Sequence, residues 1–167
     1  MRIRTEQTPD ASQIREVTVA AFNGESEASL VDLLRKGAEP LISLVAEDGG
    51  LIVGHLMFSP VTLASGETFL AMGLAPMAVL PAKQRQGIGS ALVERGLEEC
   101  RLMGMAAVVV LGHPAFYPRF GFVPASHFGL RCEYEVPDEA FMAVELRESA
   151  LKGKKGTVRY HHAFTLV

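Results

Sequence analysis

Hydrophobic and polar positions change period several times along the chain, and each change marks an element. Arg2 to Gln7 alternates, with Ile3 between two arginines, and predicts a first strand that stops at Pro9-Asp10. Asp10 or Ser12 can cap the helix that follows, whose apolar face is Ile14, Val17 and Ala21. Glu25 to Lys36 predicts a second helix on Leu30, Leu33 and Leu34, which Gly37 terminates. Leu41 to Glu47 is a short apolar strand, and Asp48-Gly49-Gly50 a hairpin turn. Leu51 to Leu63 and Thr68 to Val79 are long strand-like runs split by Ala64-Ser65-Gly66-Glu67. Four strands in succession predict an antiparallel meander.

From Gly87 the period becomes helical, with Ile88, Leu92, Leu97 and Cys100 on one face up to Met103. Gly104 ends that helix, and Ala106 to Leu111 is an unbroken apolar burst suited to a buried strand. Strand, glycine loop, helix and strand form a right-handed crossover, so this part of the sheet should be parallel. A turn or short helix covers Pro114 to Phe120. Phe141 to Leu146 and Thr157 to Phe164 predict two last strands around a Lys-Gly-rich loop at Lys152 to Gly156.

Composition narrows the class. The 167 residues suit a single domain, 1–167, that can bury roughly 70% of its unfolded surface. Apolar residues at 49% and charged residues at 21% exclude disorder and coiled coil. A net charge of −3 offers no field for nucleic acid. Two cysteines, Cys100 and Cys132, suit free thiols in the cytoplasm better than a disulfide framework. No apolar stretch reads as a signal peptide or a membrane span, so no membrane partner is expected.

The segment richest in chemistry is Ala75-Pro-Met-Ala-Val-Leu-Pro-Ala-Lys-Gln-Arg-Gln-Gly-Ile-Gly-Ser90. Gln84-x-x-Gly87-x-Gly89 sits between a strand and an amphipathic helix. Glycines allow close backbone approach, and free amides at a helix start hold an anion such as a pyrophosphate. Lys83 and Arg85 add positive charge, although a plain strand-to-helix loop has the same spacing. A Walker loop would need Lys-Ser/Thr where Ser90-Ala91 stands, and a dinucleotide fingerprint would need a third glycine. Pro81 cannot pair in a central ladder, so the strand should peel away there and leave unpaired backbone groups.

These residues resemble the GNAT superfamily of acetyl-CoA-dependent N-acetyltransferases, whose signature is Gln/Arg-x-x-Gly-x-Gly/Ala after a strand ending in Val-x-Pro. Tyr117-Pro-Arg-Phe-Gly121-Phe122 matches the family's Tyr-x-x-x-Gly-Phe element, and Leu111 to Phe122 resembles one bacterial branch of poorly characterised N-acetyltransferases. The resemblance implies an α/β fold with a mixed, mostly antiparallel sheet of about seven strands, splayed between the fourth and fifth, with helices on both faces. It implies acetyl-CoA as cosubstrate, no metal, a small-molecule or peptide amine as acceptor, and a family that often dimerises. The backbone of Met77, Ala78 and Val79 should pair with the pantetheine arm. Gln84, Arg85, Gln86, Gly87, Ile88, Gly89 and Ser90 should hold the pyrophosphate.

The resemblance also makes Tyr117 the catalytic acid that protonates the leaving thiolate, although Pro118 follows where many relatives continue a regular helix. The general base is open. The predicted fourth strand has no acidic residue from Leu70 to Val79, which leaves Glu25, Glu27 and His113 as candidates, with His113 equally suited to capping the turn at Pro114. His161 and His162, on a predicted terminal strand, should point to opposite faces without metal-ligand partners. His55 reads as a satisfied sheet histidine. Between Glu133 and Glu148 six acidic residues stand against one basic, a stretch that suits a cationic amine or a solvated surface. A non-catalytic acyl-CoA-binding module and a different acyl donor remain as alternative functions.

Overall fold

A computed structural model describes residues 1–167. Strand β1 (Arg2–Thr5) leads into helices α1 (Ala11–Phe22) and α2 (Ser26–Gly37). Strands β2 (Ile42–Asp48), β3 (Leu51–Pro60), β4 (Thr62–Leu63) and β5 (Ala71–Val79) follow. Helix α3 (Ile88–Leu102) then crosses to β6 (Ala107–Leu111). The chain finishes with β7 (Val123–Pro124), β8 (Leu130–Cys132), β9 (Phe141–Glu145) and β10 (Gly156–Arg159).

Seven strands form the main sheet in the order β1-β2-β3-β5-β6-β9-β7. Every pairing is antiparallel except β5 with β6, where the α3 crossover forces the parallel arrangement. The expected α/β architecture, the number of strands and the helices on both faces are therefore present. The seventh strand is the two-residue β7 rather than the chain's end.

Residues 157–164 depart from expectation. Only Gly156–Arg159 is a strand, and it lies in a separate three-stranded sheet ordered β4-β10-β8. The chain then turns through a 3-10 helix, His162–Thr165, because Tyr160 and Ala163 are both drawn into the interior. His161 and His162 consequently do not alternate across a strand. Their rings lie 4.4 Å apart, and His161 Nδ1 accepts the Ala163 amide.

The two sheet faces bury different sets of side chains. Leu56, Phe58, Met72, Leu74, Val108 and Val110 pack against Leu92, Leu97 and Cys100 of α3. Gly96 permits that close approach, since a Cβ there would lie 2.3 Å from the Phe58 ring. The opposite face meets α1 and α2 through Ile14, Val17, Leu34, Val45 and Met57, and meets the small sheet through Val109, Phe141, Val158 and Tyr160. No helix is long and apolar enough to cross a membrane.

A buried polar cluster ties Glu6, just past β1, to β2, β3 and α2. Arg35 donates Nε and Nη2 to the Glu6 carboxylate at 2.7 and 3.0 Å. Ser43 donates to the same carboxylate at 2.6 Å and lies 2.8 Å from His55 Nε2. Because the Ser43 hydrogen goes to Glu6, its oxygen accepts from His55 Nε2–H, which leaves His55 Nδ1 a bare acceptor. That nitrogen is buried without a partner, so His55 is only half satisfied. Burial holds its pKa down at about 4, with Glu6 opposing the shift and Arg35 assisting it.

Candidate active site at the split between β5 and β6

The parallel pair between β5 and β6 ends at Leu74↔Val110, while β5 continues to Val79 against β3 alone. Across the split, the β3 register moves from Leu56↔Met77 to Phe58↔Leu74, an extra residue in β5 that bends the strand. Leu80 N donates to Val53 O at 2.9 Å. Alternation along an antiparallel ladder then turns the backbone of Ala78 toward β3 and that of Met77 and Val79 toward the open side. The Ala78 side chain packs on the α1 face, with Ile14 and Val17.

Beyond the split, Pro81–Lys83 makes one 3-10 turn and the glycine loop delivers the chain to α3. Arg85 and Gly87 take left-handed φ of 63° and 85°. A non-glycine residue in that region is uncommon and tends to occur at ligand-binding turns. Gln84 Nε2 donates to Val79 O at 3.1 Å and so braces the loop on the strand end. Helix α3 begins with no side-chain cap, so its first amides are free to meet an anion.

On the far side of the split, Gly112 follows β6 and gives Tyr117 its place. A Cβ on Gly112 would sit 2.5 Å from Tyr117 Cε2. Pro118 shapes the next residues into a 3-10 turn, Tyr117–Phe120, instead of a regular helix. The Tyr117 ring makes edge contacts with Phe116 at 5.0 Å and Phe122 at 5.6 Å. Burial pushes its phenol up to about 12, so the group keeps its proton at neutral pH.

Together these pieces enclose a cleft of about 940 Å3. Met77, Val79, Gln84, Arg85, Gly87, Ile88, Gly89 and Ser90 line one side, and His113 and Tyr117 the other. Of the residues expected to hold the cofactor only Ala78 and Gln86 stay outside. Gln86 instead donates to Ala82 O at 3.3 Å. Sequence reasoning missed the far wall, made by Phe116 and Arg119, and the contribution of Ala21 and Phe22 from the end of α1. Phe22, 42% exposed at a helix terminus, carried no local signal of its role.

Lys83, Arg85 and Arg119 give the cleft a positive character, and no carboxylate lines it. Arg119 is held over the Phe116 ring at 4.6 Å while its Nε donates to Phe116 O. Glu25 is exposed and pairs with Arg15 at 3.4 Å, and neither Glu25 nor Glu27 reaches the lining. His113 is the imidazole among the lining side chains. No group of three or more His, Cys, Asp or Glu side chains is placed to hold a metal ion.

This architecture is that of an acyltransferase built on a split sheet, and comparison with known proteins gives the class its family. Residues 2–125 match the family described as an acetyltransferase (GNAT) domain. The chain belongs to the GNAT family of acetyltransferases. It is 41% identical over 165 residues to the uncharacterized N-acetyltransferase YhbS of Escherichia coli, covering 98% of each chain. The crystal structure of YhbS in complex with CoA superposes with a TM-score of 0.93 over 98% of this chain and 91% of that one. A GNAT family acetyltransferase from Brucella melitensis in complex with acetyl-CoA is 37% identical, with a TM-score of 0.80 over 98% and 97%. A second Escherichia coli relative, the uncharacterized N-acetyltransferase YjhQ, is 43% identical over 134 residues, 78% of this chain and 74% of that one.

Proposed function

We propose that residues 1–167 act as one domain that transfers the acetyl group of acetyl-CoA to a primary amine by direct attack in a ternary complex. The observation that carries this reading is the unpaired edge of β5 leading straight into the uncapped start of α3. An extended, amide-bearing pantetheine suits the first, and a diphosphate suits the second. The CoA and acetyl-CoA in the YhbS and Brucella structures support the same assignment.

On this reading Met77 and the Val79 amide pair with the pantetheine arm, and the amides from Arg85 to Ser90 hold the pyrophosphate. The Val79 amide polarises the thioester carbonyl. Tyr117 donates its proton to the departing thiolate as the C–S bond breaks and the C–N bond forms. His113 takes the proton shed by the amine nitrogen and returns it to solvent, from which Tyr117 is reprotonated. The products are the amide and free CoA. Free thiols at Cys100 and Cys132 support a reducing, cytoplasmic setting.

The test is thiol release from acetyl-CoA with a panel of primary amines. Release that requires both acetyl-CoA and an amine is expected. Binding of acetyl-CoA without thiol release for any amine would instead make the chain an acyl-CoA-binding module.

A further inference from the structure

The cations of the cleft are not equivalent. Lys83, at the near wall, is drawn toward Asp48 at 3.8 Å. Arg119, on the far wall, belongs to the 3-10 turn Tyr117–Phe120 and pairs with no carboxylate. Its Nε donates to Phe116 O at 2.9 Å, and its Nη1 and Nη2 remain free at an exposed position.

Arg119 is nevertheless held in place. Its guanidinium lies 4.6 Å from the centroid of the Phe116 ring. Phe116 is itself fixed by edge contacts with Tyr117 at 5.0 Å and Phe120 at 5.2 Å. The tip of the same ring reaches the start of α3, since a Cβ on Gly89 would lie 3.8 Å from Phe116 Cζ. One aromatic ring therefore separates the Arg119 fork from the first turn of α3. An arginine braced on an aromatic face and a carbonyl has less rotamer freedom to lose when it takes up a ligand.

CoA carries its phosphates in two places. Its diphosphate suits the amides from Arg85 to Ser90 on the near wall. Its ribose 3′-phosphate is a separate monoester, whose oxygens match the two parallel N–H donors of a guanidinium fork. Resting on the acetyl-CoA reading, we infer that Arg119 binds the 3′-phosphate of the cofactor through Nη1 and Nη2, so that CoA is gripped from both walls of the cleft. Backbone amides take a diphosphate that many nucleotides share, whereas Arg119 reads the group that separates CoA from its 3′-dephospho form. Arg119 and Tyr117 lie in one turn, so this contact also joins cofactor binding to the turn that carries the proton donor.

The test is calorimetric titration of CoA and 3′-dephospho-CoA into wild type, Arg119→Gln and Arg85→Gln. Wild type should bind CoA about tenfold tighter than 3′-dephospho-CoA, the scale of a charge-assisted pair at an exposed site. In Arg119→Gln that advantage should fall to about twofold or less, while Kd for 3′-dephospho-CoA stays at the wild-type value and so reports an intact cleft. Arg85→Gln, on the near wall, should keep the wild-type ratio. The inference is overturned by a wild-type ratio in Arg119→Gln, by equal losses for both ligands in that variant, which would place Arg119 on the diphosphate, or by no preference for CoA in wild type. Loss of the preference in Arg85→Gln would overturn it as well. Failure of both ligands to bind wild type would overturn the acetyl-CoA reading instead.

Discussion

The two halves of β5 do different work with the same backbone. From Ala71 to Leu74 the strand is paired on both sides, with β3 and β6, and its side chains Met72 and Leu74 are core. From Ala75 to Val79 it keeps β3 and loses β6, and its outward groups face a cleft. A strand interior with both neighbours satisfies its amides within the fold. A strand with one neighbour keeps amides in reserve for a ligand. Stability should therefore concentrate in the first half and function around the second, and substitutions can separate them.

The largest effect expected around the second half is on catalysis. Tyr117→Phe keeps the ring contacts with Phe116 and Phe122 and removes the proton donor. It should lower kcat ~10²–10⁴-fold while leaving Kd for acetyl-CoA nearly unchanged, as expected of a group acting in the transition state. With the phenol pushed up to about 12, wild-type activity should show no alkaline fall from this group across the ordinary assay range. An unchanged kcat in Tyr117→Phe would shift the proton donor to another lining group.

Met72→Ala probes the first half. Met72 is fully buried against the α3 face, and its truncation should cost about 2–5 kcal/mol of stability by chemical denaturation. The fraction that remains folded should bind acetyl-CoA like wild type. A selective loss of binding without a loss of stability would erase the distinction between the halves.

Acid tests the strand that anchors the second half. His55, opposite Ala78, holds a pKa of about 4 where an ordinary imidazole has 6.5. Between those values the unfolded chain binds a proton that the folded protein refuses, so stability falls as pH drops through this window, by about 3 kcal/mol in full. Glu6 acts in the same direction at lower pH. Burial works to raise its pKa, but hydrogen bonds from Arg35 and Ser43 win and lower it, and this stabilisation fades as the carboxylate is protonated. Urea titrations at pH 7 and pH 4.5 should show the loss, and His55→Gln should flatten it. A His55→Gln variant with the wild-type slope would remove His55 from the account.

The second half of β5 was the more legible in the sequence because its signals are local. Val79-Leu80-Pro81, the glycine spacing and the helical period from Ile88 lie within a single unit, and Gly121-Phe122 marks the turn that carries Tyr117. The small sheet was not legible. Its strands have two to four residues, and β8 pairs in parallel with β10 across a long stretch of chain, so no short-range period announces it. Tyr160 was read as one residue of a terminal strand, because its burial depends on Gly73, far away in sequence. The same distance hid the Glu6–Arg35–Ser43–His55 cluster, whose members come from α2, β2, β3 and the residue after β1.

The central claim is that the glycine loop and the open edge of β5 form an acetyl-CoA site, and thermal unfolding of wild type and Gly89→Glu with and without acetyl-CoA tests it most directly. Gly89 suits the purpose because a Cβ there meets Met77 Cε at 3.6 Å, an ordinary contact, and a carboxylate in the first turn of α3 favours the helix. At a hundredfold excess over Kd, acetyl-CoA should stabilise wild type by about 2.7 kcal/mol. Gly89→Glu should melt like wild type alone and gain nothing from the ligand, its new charge occupying the anion site. Stabilisation of both proteins to the same degree, or of neither, would contradict the account.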